Sequence, residues 1–264
     1  MLEINNLSKT FLVGTPNEHI ALNGLSLTLN DGEFVTVVGS NGAGKSTLFN
    51  AICGNFDIDG GSIELDGKDI THMPDYKRSK MIGRVFQDPM KGTAPNLTIE
   101  ENLALAYSRS KKKALGIALN KKDISMFKEK LAEYEMGLED RMKTKVGLLS
   151  GGQRQVVTLL MCTIVPPSLL LLDEHTAALD PSTSEKIMDI TNRIVNEHKL
   201  TTMMITHNLK AALKTGSRTI MMDSGRIILD IQGEERDGMT LQGLLDMYSK
   251  TIAKEFDNDR MLLN

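Results

Sequence analysis

"FVTVVGSNGAGKSTLFNAICG", Phe34 to Gly54, decides how the rest of the 264-residue chain is read. Phe34, Val35, Val37 and Val38 form a short apolar run of the kind buried on both faces of a parallel sheet. The run ends at a glycine loop. Gly39, Ser40, Asn41, Gly42, Ala43, Gly44, Lys45 and Ser46 match GxxxxGK[ST] at every fixed position, and Thr47 continues into a helical pattern. Glycines leave backbone amides unshielded by Cβ, and a helix N-terminus adds partial positive charge. Both favour a phosphate. The spacing therefore predicts a nucleotide site in which Lys45 reaches the β- and γ-phosphates and the Ser46 hydroxyl ligates Mg2+.

Outward from this loop, strand and helix patterns alternate. "SLTLNDGEF" upstream reads as strand and turn, and "GGSIELDGKDI" downstream as an alternating strand between turn signals. "SKMIGRVFQDP" is a further core strand stopped by Pro89. Residues 97–145 are charged and helix-periodic, with a capping-box candidate at Thr98 and Glu101. "PSLLLLDEHTAALD" and "TTMMITH" return to buried strands, with Met203, Met204, Met221 and Met222 as core filler. "TIMMDSGRIILDIQG" reads as a hairpin turning at Ser224-Gly225, and Leu241, Leu244, Leu245 and Tyr248 repeat at helical spacing. The expected fold is α/β. It has a phosphate-loop NTPase core with a mostly parallel sheet, an N-terminal antiparallel β portion and an inserted helical lobe.

Composition narrows the function. Apolar residues are 41% and charged residues 25%, which suits a globular chain able to bury a sizeable core. The formal charge of −3 provides no global basic field, so no nucleic-acid partner is expected. Cys53 and Cys162 fit no metal pattern and read as reduced core thiols. "MLEINNLSKTF" has no apolar core of a secretory signal, and the apolar region Val156 to Leu172 is interrupted by "PPS". A role at a membrane would need another chain to cross it. The basic run "SRSKKKALG", with Lys121 and Lys122, reads as a solvated helix end or loop, or as a contact to a partner or lipid headgroups.

Four further features carry chemistry. Leu169 to Leu172 deliver Asp173 and Glu174 to the carboxyl end of a core strand, where α/β proteins bind ligands. Asp173 is expected to hold Mg2+, and Glu174 to polarise the attacking water as general base. A helix N-cap is the plainer reading of the same pair. Gln87, at a strand end, can touch Mg2+ or water, or be a surface glutamine. His207 ends "TTMMIT" and can reach a γ-phosphate or be structural, and Phe11 can stack on adenine or pack in the core. "LLSGGQRQ", residues 148–155, offers a second set of small residues at a helix start, far from the phosphate loop. His19, His72, His175 and His198 show no metal spacing.

In this order Phe11, "GSNGAGKST", Gln87, "LSGGQ", "LLLLDE", "AALD" and His207 resemble the ATP-binding cassette (ABC) ATPases over nearly the whole chain. The resemblance implies one domain over 1–264, with 1–89 and 163–264 as nucleotide-binding core and 90–162 as helical signature lobe. It implies an adenine-stacking role for Phe11, a lobe-linking role for Gln87 and a γ-phosphate switch role for His207. It implies that Ser150, Gly151, Gly152 and Gln153 close over the ATP of a second copy in a head-to-tail homodimer, with Asp180 communicating across it. It departs from the family at His175, where many members carry proline after the acid pair. "FQDPMKGTAPNLTIEENLALAY" with "DEHTAALDP" resembles bacterial importer ATPases of the tryptophan or tyrosine type. That implies ATP hydrolysis coupled to import by separate transmembrane permease chains, a coupling helix in a groove near Gln87 and residues 88–105, and an extracellular solute-binding protein. The expected location is the cytoplasmic face of a bacterial membrane. The alternative is a soluble ATPase of the same fold, in DNA repair, translation or cofactor assembly.

Overall fold

The computed structural model describes residues 1–109 and 121–250, so the basic run lies outside the described residues from position 110 to 116. Along the chain the elements are β1 (Leu2–Phe11), β2 (His19–Leu29), β3 (Phe34–Gly39), α1 (Lys45–Cys53), β4 (Gly60–Leu65) and β5 (Lys68–Asp69). There follow α2 (Asp75–Arg78), β6 (Ile82–Val85), α3 (Ile99–Ser108), α4 (Lys121–Ala132), α5 (Gly151–Thr163), β7 (Leu169–Asp173) and α6 (Pro181–His198). Then come β8 (Thr202–Ile205), α7 (Leu209–Lys214), β9 (Arg218–Asp223), β10 (Arg226–Gln232) and α8 (Gly233–Asp237). A helix over 241–250 closes the described residues. Two compact units result: Met1–His72 with the chain from Met203 onward, and Met73–Thr202.

In the first unit, β2, β1, β4 and β5 form an antiparallel sheet. Leu2 and Ile4 of β1 face Leu29 and Leu27 on one side and Leu65 and Ile63 on the other, and all six are buried. A second sheet carries β9 parallel to β3 and antiparallel to β10. The expected apolar run is that parallel strand: Phe34, Val35, Val37 and Val38 are all buried. Ser224 (φ 47°) and Gly225 (φ 76°) turn the β9–β10 hairpin, the left-handed pair that a two-residue loop needs to match strand twist. The closing helix seats Leu244 among Val38, Ala212, Met221 and Ile231. Leu245, expected on the same face, is exposed. Adjacent helical residues point about 100° apart, so the sheet takes only one of the two.

In the second unit, β6 runs parallel to β7, with Ile82 to Val85 opposite Leu169 to Leu172. The helical character expected over 97–145 appears as α3 and α4, with α5 following and short 3-10 turns between them. Thr98 and Glu101 form the expected capping box on α3, a feature contributing about 1 kcal/mol. α3 packs on α5, and α5 on α6. Among the described residues no helix is long and apolar enough to cross a membrane.

Candidate nucleotide site

In the first unit the phosphate loop follows β3 directly into α1. Gly44 caps α1 with φ 99° and no side-chain cap, and the first turn holds no acid. The amides at this helix start therefore face outward without a side-chain acceptor, which suits an anion. Lys45 is buried, and its Nζ donates to Gly39 O at 2.8 Å and Ser40 O at 2.7 Å. The ammonium thus lies against the loop's own carbonyls. Ser46 is exposed and Thr47 half-buried. Around them Asn41 and Gly42 are exposed and Ala43 buried.

Gly44 has two reasons to be glycine. Its φ is left-handed, and a Cβ there lies 2.5 Å from Ala21 O. Gly44→Ala is expected to destabilise the protein by about 2–4 kcal/mol, combining overpacking against backbone with a forbidden φ. Urea unfolding measures it, and an unchanged midpoint contradicts the loop geometry.

Neighbouring strands bring further groups to the loop. Thr206 N donates to Val37 O at 3.1 Å, so the exposed His207 leaves the sheet beside the strand that delivers Gly39. Ser40 Oγ donates to Asp223 Oδ1 at 3.3 Å. Tyr248 of the closing helix lies near Asp223 and Ser40, and burial, then the Asp223 charge, raises its phenol above the ordinary range. The sequence marks Tyr248 only as an apolar helix position. Phe11 stands at the end of β1, half-buried, its ring edge-to-face with Phe56 at 5.3 Å. Lys9 Nζ sits 5.5 Å and 5.6 Å from the two ring centroids and is paired with Asp59 at 2.8 Å. Phe56 was not a sequence candidate.

In the second unit, Asp173 ends β7 and Glu174 follows as the first residue of a turn, with Ala177 N donating to Glu174 O at 2.9 Å. Asp173 is not alone. Arg84 of β6 donates to its Oδ2 at 2.7 Å, both side chains nearly buried, and the guanidinium lies 4.8 Å from the Phe86 ring centroid. A basic residue inside the apolar "IGRVF" was the available signal for this partner. Gln87, three residues further on, is exposed, and Gln155 of α5 donates to Phe86 O at 3.4 Å. Cys162 donates to Arg84 O at 3.2 Å, and burial pushes its thiol up to about 11. Neither cysteine forms a disulfide among the described residues; Cys162 is buried and Cys53 only partly so.

Glu174 adopts φ 48°, a left-handed conformation costing a side-chain-bearing residue about 1–3 kcal/mol. His175, next to it, is buried, and desolvation lowers it to about 4, so its imidazole is neutral. Its Nε2 lies 3.1 Å from Thr191 Oγ1. Asp180 caps α6, accepting from Thr183 N at 3.0 Å and Ser182 Oγ at 2.8 Å. These bonds, the Thr183 amide first, lower its carboxyl to about 2. A depressed carboxyl stabilises the fold fully above its unfolded value near 3.8 and loses that effect as pH falls toward 2, so this cap is ionised at neutral pH.

"LSGGQ" opens α5. Ser150 Oγ accepts from Gln153 N, and Gln153 Oε1 accepts from Ser150 N, both at 3.3 Å. Arg141 donates to Gln153 Oε1 at 3.2 Å, and Gln153 Nε2 donates to Met136 O at 3.3 Å. Gly152 lies under α6: a Cβ there sits 2.4 Å from the Thr183 methyl. The second glycine thus has a packing reason independent of any nucleotide. Gly151 and Ser150 are exposed. Among the described residues no three His, Cys, Asp or Glu side chains gather to hold a metal.

The sequence matches the ABC transporter family over residues 22–177. This chain belongs to that family. It is 44% identical over 255 residues, 96% of this chain and 100% of the other, to a tyrosine transport ATP-binding protein of Clostridioides difficile strain R20291. It is 34% identical to the lipoprotein-releasing system ATP-binding protein LolD of Ruegeria sp. strain TM1040, covering 86% of this chain and 97% of that one. The fold superposes on the dimeric ATP-binding cassette MJ0796 bound to ADP and Pi with TM-score 0.73 and 29% identity, over 88% of this chain and 98% of that one. A nucleotide-free cassette from an ABC transporter gives TM-score 0.76 at 26% identity, over 94% and 98%.

The expected α/β class therefore holds, antiparallel N-terminal sheet included. As an ABC ATPase the chain uses nucleotide and hydrolyses ATP.

Proposed function

We propose that this ABC ATPase is the engine of a bacterial amino-acid importer of the tyrosine or tryptophan type. The carrying observation is the full-length likeness to a protein named for tyrosine transport. Two copies bind ATP head to tail, and separate transmembrane permease chains dock on them at the cytoplasmic face of the membrane. An extracellular solute-binding protein delivers the solute. The chain reads as one domain, 1–89 and 163–264 as core and 90–162 as signature lobe.

Each candidate residue takes a role in this reading. Lys45, Ser40 to Thr47 and the amides at the start of α1 hold the phosphates, and Phe11 stacks on adenine. Ser46, Gln87 and Asp173 would hold Mg2+, which neutralises phosphate charge when bound. Arg84 fixes the orientation of Asp173 through its Oδ2. Glu174 accepts the proton of the attacking water, and His207 steadies the γ-phosphate. Ser150 to Gln153 act on the partner's nucleotide, with Asp180 at the same interface.

The test is co-expression of the tagged chain with candidate permeases. The chain is expected to co-purify with a polytopic membrane protein from detergent-solubilised membranes. Right-side-out vesicles loaded with ATP should then show inward transport of labelled tyrosine or tryptophan, and inside-out vesicles loaded the same way should not. Uptake that persists when this chain is deleted refutes the reading.

A further inference from the structure

The residue that departs from the family pattern, His175, is built into the fold in a specific way. The segment from Glu174 to Asp180 leaves β7 and returns to cap α6. It is fastened to α6 at two points. Ser184 Oγ donates to Thr176 O at 3.0 Å and reaches Leu179 O at 3.4 Å. His175 Nε2 meets Thr191 Oγ1 at 3.1 Å, seven residues further along the same helix. The direction of this second bond is fixed by chemistry. Thr191 has one hydroxyl proton, and it goes to Ile187 O at 2.8 Å. Its oxygen is therefore the acceptor, and the neutral imidazole carries its proton on Nε2. His175 is 2% exposed and Thr191 0%, so water offers neither group a substitute.

What this fastening holds is the backbone at Glu174. That residue stands in the left-handed region at φ 48°, a conformation that needs support from its surroundings. Its two chain neighbours supply the support: Asp173 through Arg84 at 2.7 Å, and His175 through Thr191. A proline, with φ fixed by its ring, could stiffen the chain at position 175 locally. Histidine has no such restriction, and the hydrogen bond to α6 replaces it.

We propose that His175 is a positioning residue for ATP hydrolysis, its bond to Thr191 holding the Glu174 carboxylate and the loop up to Asp180 against α6. This rests on the reading of Glu174 as general base. The group touches no reacting atom itself. Its effect is on turnover and not on nucleotide capture, because the phosphate loop lies on other elements.

The experiment compares Thr191→Val, Thr191→Ser, His175→Gln, His175→Ala and Glu174→Gln in the full chain. Phosphate release is measured well below each variant's melting midpoint. Thr191→Val keeps the shape and removes the acceptor, and is expected to lower kcat about fivefold to tenfold with KM for ATP within about twofold, since small misplacements of a reacting group are costly in rate. Thr191→Ser keeps the hydroxyl and retains kcat. His175→Gln, whose amide extends about as far as Nε2, retains more turnover than His175→Ala. A purely structural bond lowers the melting midpoint in Thr191→Val and leaves kcat unchanged. That result, or an equal loss in Thr191→Ser, overturns the inference while an inactive Glu174→Gln leaves the general-base reading standing. A Glu174→Gln variant with wild-type turnover defeats that reading instead.

Discussion

Glu174→Gln is expected to abolish turnover while nucleotide still binds. Glutamine keeps the size of the side chain and one acceptor oxygen but cannot take up a proton at neutral pH. General-base catalysis contributes about 10²–10⁴-fold in rate, so phosphate release should fall by at least about 100-fold. Binding should survive, because the phosphate loop, Lys45 and the amides of α1 belong to a different part of the chain. With hydrolysis blocked and ATP and Mg2+ present, the head-to-tail pair should accumulate. Light scattering after size exclusion reads this directly. A variant that stays monomeric at saturating ATP contradicts the shared-nucleotide dimer, and one that hydrolyses normally contradicts the assignment of Glu174.

Lys45→Ala is expected to show the opposite division, with nucleotide affinity falling first. A hydrogen bond to a charged group contributes about 1.5–3 kcal/mol, so the loss of the ammonium should weaken ATP binding about tenfold to a hundredfold for each phosphate contact it makes. The structure adds a second consequence. Nζ now bridges Gly39 O and Ser40 O. Removing it leaves two loop carbonyls without that donor, so the loop also loses an internal brace. Lys45→Arg should not rescue, because a planar guanidinium cannot take the place of a compact ammonium in a buried position. Calorimetry with a non-hydrolysable ATP analogue checks both variants, and unchanged affinity in Lys45→Ala removes the cradle assignment.

Much of the fold was legible because its signals are local. The glycine loop after Val38 demands backbone conformations and close approaches that other residues resist, as Gly44 at φ 99° illustrates. Thr98 with Glu101 and the turn at Ser224-Gly225 work the same way: a few neighbouring residues satisfy one another's backbone groups. The acids at the end of β7 were readable from strand polarity. The helical spacing of Leu241, Leu244, Leu245 and Tyr248 announced the last helix, but periodicity alone does not say how wide its buried stripe is, and Leu245 lies outside it.

The site's partners were the illegible part. Arg84 meets Asp173 across 89 residues, through the pairing of β6 with β7. Phe56 reaches Phe11, and Tyr248 reaches Ser40, by similar long paths. The "LSGGQ" stretch looked like a nucleotide motif, and the structure gives its parts local duties as well: Ser150 caps α5 and Gly152 clears Thr183.

By itself, then, the sequence determined where the chain must turn and where it must run buried. Each of these is settled by neighbours within a few positions, whose φ preferences and hydrogen bonds act before any tertiary contact forms. Tertiary structure alone decided that His175 is fastened to Thr191 and Asp173 to Arg84. Such pairs depend on strand register and on which helix face is buried. Those follow from the packing of the whole core and have no counterpart in any single stretch of residues.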